Sequence, residues 1–144
     1  MRPLDREEIF RYGPVAAAAK SDAAITEIGL HATATMPKGP KVASDVHIEI
    51  TIDPSHLVFT RDNAGQNVHE VDLAAFCVDG HDSIVGSFWN TIRLTFTDDR
   101  LNVVTRDGAP VTLTVPVDAP ANNVKIIAYD YGSDLLGSVV AKVQ

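Results

Sequence analysis

Lys125-Ile126-Ile127-Ala128-Tyr129-Asp130-Tyr131-Gly132-Ser133-Asp134-Leu135-Leu136-Gly137-Ser138-Val139 contains two β-prone runs that meet at a Gly-Ser turn. Branched and aromatic residues suit a pleated, half-buried surface, and the Asp, Gly and Ser between them suit a reversal. Working backwards, Val111, Leu113 and Val115 alternate with Thr112 and Thr114 until Pro116, after which Ala119-Pro120-Ala121-Asn122-Asn123 turns the chain. Ile84 to Phe96 reads as one long strand with Phe88, Asn90, Ile92, Leu94 and Phe96 on a single face. The polar Asn90 on that face marks a bulge or a bend. Ahead of it, Asp79-Gly80 with His81-Asp82 signals a hairpin closing the strand Glu70 to Val78.

The N-terminal half continues the pattern. Val46, Ile48, Ile50 and Ile52 alternate with His47, Glu49 and Thr51, which puts the first set in a core and the His47 side in water. Ile25 to Thr35 makes a half-buried first strand, and Leu57-Val58-Phe59 a short edge piece. Thr97 followed by Asp98 and Asp99 has the form of an N-cap with acids in the first turn, so a short helix is expected over 98–106, plugging one end of the domain. Residues 5 to 20 are helix-prone but interrupted at Gly13-Pro14, giving two short pieces that form a linker or lie on the domain. Residues 1–22 are thus a helical lead and residues 23–144 an all-β domain. With about seven principal strands and loops too short for parallel crossovers, the expected fold is an immunoglobulin-like or fibronectin-III-like antiparallel β-sandwich.

Composition narrows the function. The 19 acids against 12 bases give a net charge of −7, with no basic stripe to displace counterions from nucleic acid or an anionic membrane. The start, Met1 to Glu8, has no apolar core of signal-peptide type, and no run approaches membrane-spanning length. The chain reads as soluble, and any export would be directed by residues outside it. Cys77, the one cysteine, sits in a strand apolar on both faces and reads as a small buried hydrophobe rather than a reactive thiol.

Candidate chemistry is sparse. His31, His47, His56, His69 and His81 lie far apart in sequence, without zinc-ligand spacing. Asp53, Asp62, Asp130 and Asp134 fall in end loops where calcium is conceivable, yet Asx turns account for each one and the Asp-x-Asp-x-Asp-Gly loop is missing. There is no Gly-x-Ser-x-Gly elbow, and Glu49 and Asp72 read as solvated strand residues rather than a carboxylate pair. No catalytic residue, metal site or cofactor is expected. The exposed aromatics Trp89, Tyr129 and Tyr131 are the candidate ligand-binding residues, as a sugar-stacking platform.

Several stretches together resemble the C-terminal region of von Willebrand factor A-related proteins of the Acidobacteria type: Ala24 to Leu30, Val46 to Asp53 with Leu57 and Phe59, Val71 to Phe76 with Asp79-Gly80, Gly86 to Leu94, Asp107-Gly108 into Val111 to Pro116, and Lys125 to Ser138. The resemblance implies an exported, extracellular or periplasmic accessory or adhesion-like β-sandwich, with no catalytic residues. The metal-binding Asp-x-Ser-x-Ser motif of the A domain is absent from this sequence. The resulting expectation is a non-enzymatic structural or protein-interaction module, partnered by a protein or a neighbouring domain. The alternative is a carbohydrate-binding module using Trp89, Tyr129 and Tyr131.

Overall fold

The alternation at residues 46–52 is realised without exception: Val46, Ile48, Ile50 and Ile52 are at most 2% exposed, while His47 and Glu49 face solvent. Burying each such side chain is worth roughly 1.5–3 kcal/mol relative to exposure, enough to fix the register of this strand. The computed structural model describes residues 13–19, 24–37 and 45–144. In it β1 (Leu30–Thr35), β2 (Asp45–Ile52) and β6 (Ala109–Pro116) form one antiparallel sheet in the order β1-β2-β6. The larger sheet centres on β4 (Asn67–Val78), which pairs β5 (Ile84–Phe96) along one side. On its other side β4 pairs β3 (Thr60–Arg61) and then β7 (Asn123–Asp130), and β8 (Leu135–Lys142) follows β7.

This is the immunoglobulin-like, fibronectin-III-like antiparallel sandwich expected from the sequence, with two-residue β3 added to seven longer strands. The inner faces meet in one core that includes Val71, Leu73, Ala75 and Cys77 of β4 and Val124, Ile126 and Ala128 of β7. Burial pushes the Cys77 thiol pKa up, as for an inert core residue.

Helix α1 covers residues 13–19, with Pro14 in its first turn where a missing N–H costs nothing. The piece expected before Gly13 lies outside the described residues. Val15 and Ala18, three apart and so on one helix face, are buried against Ala74, Ile127 and Tyr129 on the outer face of the larger sheet. Helix α2 (Asp98–Asp107) is the one read from Thr97, whose Oγ1 accepts the Arg100 N–H at 3.2 Å. It inserts Val104 into the core.

Both seams between the sheets are closed by backbone contact. Residues 25–28 run beside β8, where the Ile28 N–H donates to the Leu136 carbonyl at 2.9 Å and the Ser138 N–H to the Ile25 carbonyl at 2.8 Å. Farther along, the Met36 N–H donates to the Gln144 carbonyl at 3.2 Å and the Gln144 N–H to the Ala34 carbonyl at 2.9 Å. The first strand therefore begins at Leu30, not Ile25, because the preceding residues cover the edge of the other sheet. At the opposite seam the Asp118 N–H donates to the Val85 carbonyl at 2.8 Å. A glycine stands at each closure: a β-carbon at Gly137 would collide with the Ile28 carbonyl, and one at Gly86 with the Pro116 carbonyl.

Two local expectations are corrected, and a third gains its geometry. Residues 57–59 are not a strand; Leu57 is buried beneath a turn and the pairing begins at Thr60. Asn90 does not break the register, which shifts instead between Cys77 and Val78 beside the hairpin. The hairpin falls at Asp79 to Asp82 as expected. Asp79 Oδ1 accepts the N–H groups of His81 and Ser83 at 2.8 and 3.0 Å, and the left-handed residue is Asp82 at φ 61°.

Candidate functional site

The outer face of the larger sheet carries Asp72, Ala74 and Phe76 on β4, Tyr129, Ile127 and Lys125 opposite them on β7, and Thr91, Trp89 and Ser87 opposite them on β5. Its centre is occupied. Tyr129, expected to be exposed, is 3% exposed because α1 packs on it. Its hydroxyl donates to Asp134 Oδ1 at 2.7 Å, and Asp134 reaches it by adopting a left-handed φ of 57° in the β7–β8 turn. Burial first, and then the bond to Asp134, push the Tyr129 phenol up to about 12. Tyr129 is therefore a structural residue and leaves the proposed aromatic platform. Trp89 and Tyr131 remain 39% and 40% exposed.

Asp72 is a second correction. It points to the outer face but is 4% exposed, and Thr91 Oγ1 donates to its Oδ1 at 2.7 Å. The solvated-face reading holds for Glu49 and fails for Asp72, which is buried and bonded to Thr91 of the neighbouring strand.

At the end of the larger sheet the β7–β8 turn, the start of β4 and residues 58–60 enclose a cleft of about 340 Å³. Its floor is an acid and a histidine that lie 61 positions apart: His69 Nε2 meets Asp130 Oδ1 at 3.0 Å, with side-chain exposures of 16% and 3%. Asp130 also accepts the Gly132 N–H at 3.2 Å and the Ser133 hydroxyl. A tilted Phe59 ring, 5.7 Å away centroid to centroid, supports the imidazole. One wall is the cross-strand pair Glu70 and Arg93, whose nearest charged atoms are 3.9 Å apart. Val58, 73% exposed, and Tyr131 stand at the mouth.

The order of bonds defines what this group can do. The carboxylate sits in the middle, holding His69 on one oxygen and Ser133 on the other. A nucleophilic triad needs the imidazole in the middle, taking the hydroxyl proton. Here Asp130 ties the turn to β4, and the histidine does not reach the serine through these bonds. Sequence reading treated His69 and Asp130 separately, because nothing in their spacing brings them together.

The other candidate acids do not converge. Asp53 accepts the Ser55 N–H at 3.0 Å and lines a different cleft of about 360 Å³ with His31, Arg106 and Asp107. Asp62 caps its own turn through the N–H groups of Ala64 and Gln66, both at 2.9 Å. Among the described residues no group of three or more His, Cys, Asp or Glu side chains is placed to hold a metal ion. No described helix is long and apolar enough to cross a membrane.

The chain matches no protein-family model and no curated protein. Among solved structures it is similar to a beta-glucuronidase from glycoside hydrolase family 2, at 11% identity and a TM-score of 0.42, over 78% of this chain and 10% of that one. It spans about a tenth of that protein's length, and no activity is carried over.

Proposed function

We propose that the chain is a non-enzymatic β-sandwich serving as a structural or protein-interaction module of an exported bacterial protein, the setting its sequence resemblance implies. The observation that carries this reading is the outer edge of β5. That strand runs 13 residues, pairs with β4 alone among the described strands, and has Arg93 as its one charged residue. A long edge with few charges and no proline is a template for adding a further strand. The edge of β8 is covered by residues 25–28, and that of β6 is shorter and carries Pro110 and Pro116; β5 is met by the Asp118 N–H at Val85 and is otherwise the longest edge among the described strands.

The non-enzymatic part rests on the carboxylate-centred arrangement of Asp130, His69 and Ser133, in which no imidazole meets the serine hydroxyl. The test is self-association by sedimentation across a concentration series, for the wild type and for a Ser87→Lys, Thr95→Lys variant that charges the exposed face of β5. Association of the wild type that the lysines abolish, with unchanged thermal midpoint, supports an edge interface. A monomer at every concentration, with β5 amides that exchange no more slowly when concentrated, refutes it.

A further inference from the structure

We infer that the cleft between Tyr131 and the Glu70–Arg93 wall binds the terminal pyranose of a neutral glycan. This goes beyond the edge interface and does not depend on it. The argument begins with charge. Arg93 stands 3.9 Å from Glu70 and 4.0 Å from Asp62, at the outer limit of ion pairing, and its side chain is 54% exposed. Guanidinium donors and carboxylate acceptors are thus presented side by side without consuming one another. A hydroxyl group, which donates and accepts at once, satisfies both. An anionic ligand would meet Glu70, Asp62 and Asp130 against the single guanidinium of Arg93, so the wall favours a neutral polyol over an anion.

The mouth supplies the second requirement. Val58 and Tyr131 are exposed apolar surfaces on the same cleft. A pyranose has a C–H face that packs on an aromatic ring while its hydroxyl edge reaches polar groups. Volume sets the third. About 340 Å³ lies at the small end of ligand pockets and holds one ring rather than a chain. The floor is pre-organised, since Asp130 fixes both His69 and the turn that carries Tyr131. The site differs from the platform expected from sequence: it keeps Tyr131, omits Trp89 and Tyr129, and adds Arg93, Glu70 and His69.

The test is a titration of the full chain, followed by amide chemical shifts, with methyl glycosides of glucose, galactose, mannose and N-acetylglucosamine, and with galacturonate as the charged control. A ligand of this size in a half-open cleft is expected to bind with a dissociation constant on the order of 1 mM. Shifts should concentrate at Tyr131, Gly132, Glu70 and Arg93 for at least one neutral glycoside, and galacturonate should bind more weakly. Tyr131→Ala and Arg93→Gln should each weaken binding roughly tenfold, while retaining the wild-type spectrum elsewhere. The proposal is overturned by absence of shifts up to roughly 50 mM of every glycoside, by tighter binding of galacturonate, or by loss of binding in Trp89→Ala but not in the cleft variants. Ser87→Lys alone, opposite Phe76 and away from the cleft, separates the two readings, because weakening the edge interface leaves the glycoside shifts in place.

Discussion

Tyr129 and Tyr131 are two residues apart, and the period-two pattern puts them on one face of the sheet, yet one is 3% exposed and the other 40%. The strand cannot make that difference. Tyr129 lies under Val15 and Ala18 of α1 and is clasped by Asp134, whereas Tyr131 stands past the end of β7 on the rim of a cleft. Alternation tells which side of a sheet a residue takes. What covers that side is decided by a distant segment.

The largest break in the comparison is Tyr129→Ala, expected to cost about 3–5 kcal/mol by emptying a packed site, against less than about 0.5 kcal/mol for Tyr131→Ala. Urea unfolding of both variants measures this; equal losses would mean that α1 does not cover Tyr129. Next is Asp130→Ala, which strips an acceptor from His69, the Gly132 N–H and the Ser133 hydroxyl. A loss of about 2–3 kcal/mol is expected, together with faster amide exchange at Gly132. Val15→Ala should cost about 1–2 kcal/mol and leave the cleft unchanged. Shift changes spreading from the α1 contact to Tyr131 would show that the two regions are coupled.

The smallest effect at neutral pH, and the sharpest test of the clasp, is alkaline. The Tyr129 phenol is raised to about 12 by burial and by the bond to Asp134. A group raised in the folded state stabilises fully below its unfolded value, near pH 10, and that stability is lost as pH climbs through about 12. The thermal midpoint of the wild type should therefore fall over that interval. Tyr129→Phe should remove this part of the dependence, and an undiminished fall in that variant would place the titrating group elsewhere.

How much was legible depended on the range of the interaction. The β2 alternation, the Thr97 cap and the full extent of β5 are local patterns, and each appears where the residues indicated. The Asp79 turn was legible as a turn but not in its geometry, because the aspartate carboxylate, not Gly80, organises it. Asp72 was misplaced for the same reason as Tyr129: its neighbours in space decide its burial. The candidate site was least legible of all. Of its residues the sequence marks Tyr131 as a sugar contact and His69 and Asp130 only singly, as metal candidates, while Arg93 carries no signal, since these residues reach the cleft from different strands of the sheet.

By itself the sequence determined an antiparallel sandwich, its strand order along the chain, the helix starting after Thr97 and a surface without a basic face, because these follow from periods of two, turn formers, caps and net charge. Tertiary structure alone decided that α1 would bury Tyr129, that residues 25–28 would close β8 while β5 stayed at an edge, and that Asp130 would meet His69. Those outcomes depend on contacts between segments tens of residues apart, which packing selects and no local pattern encodes.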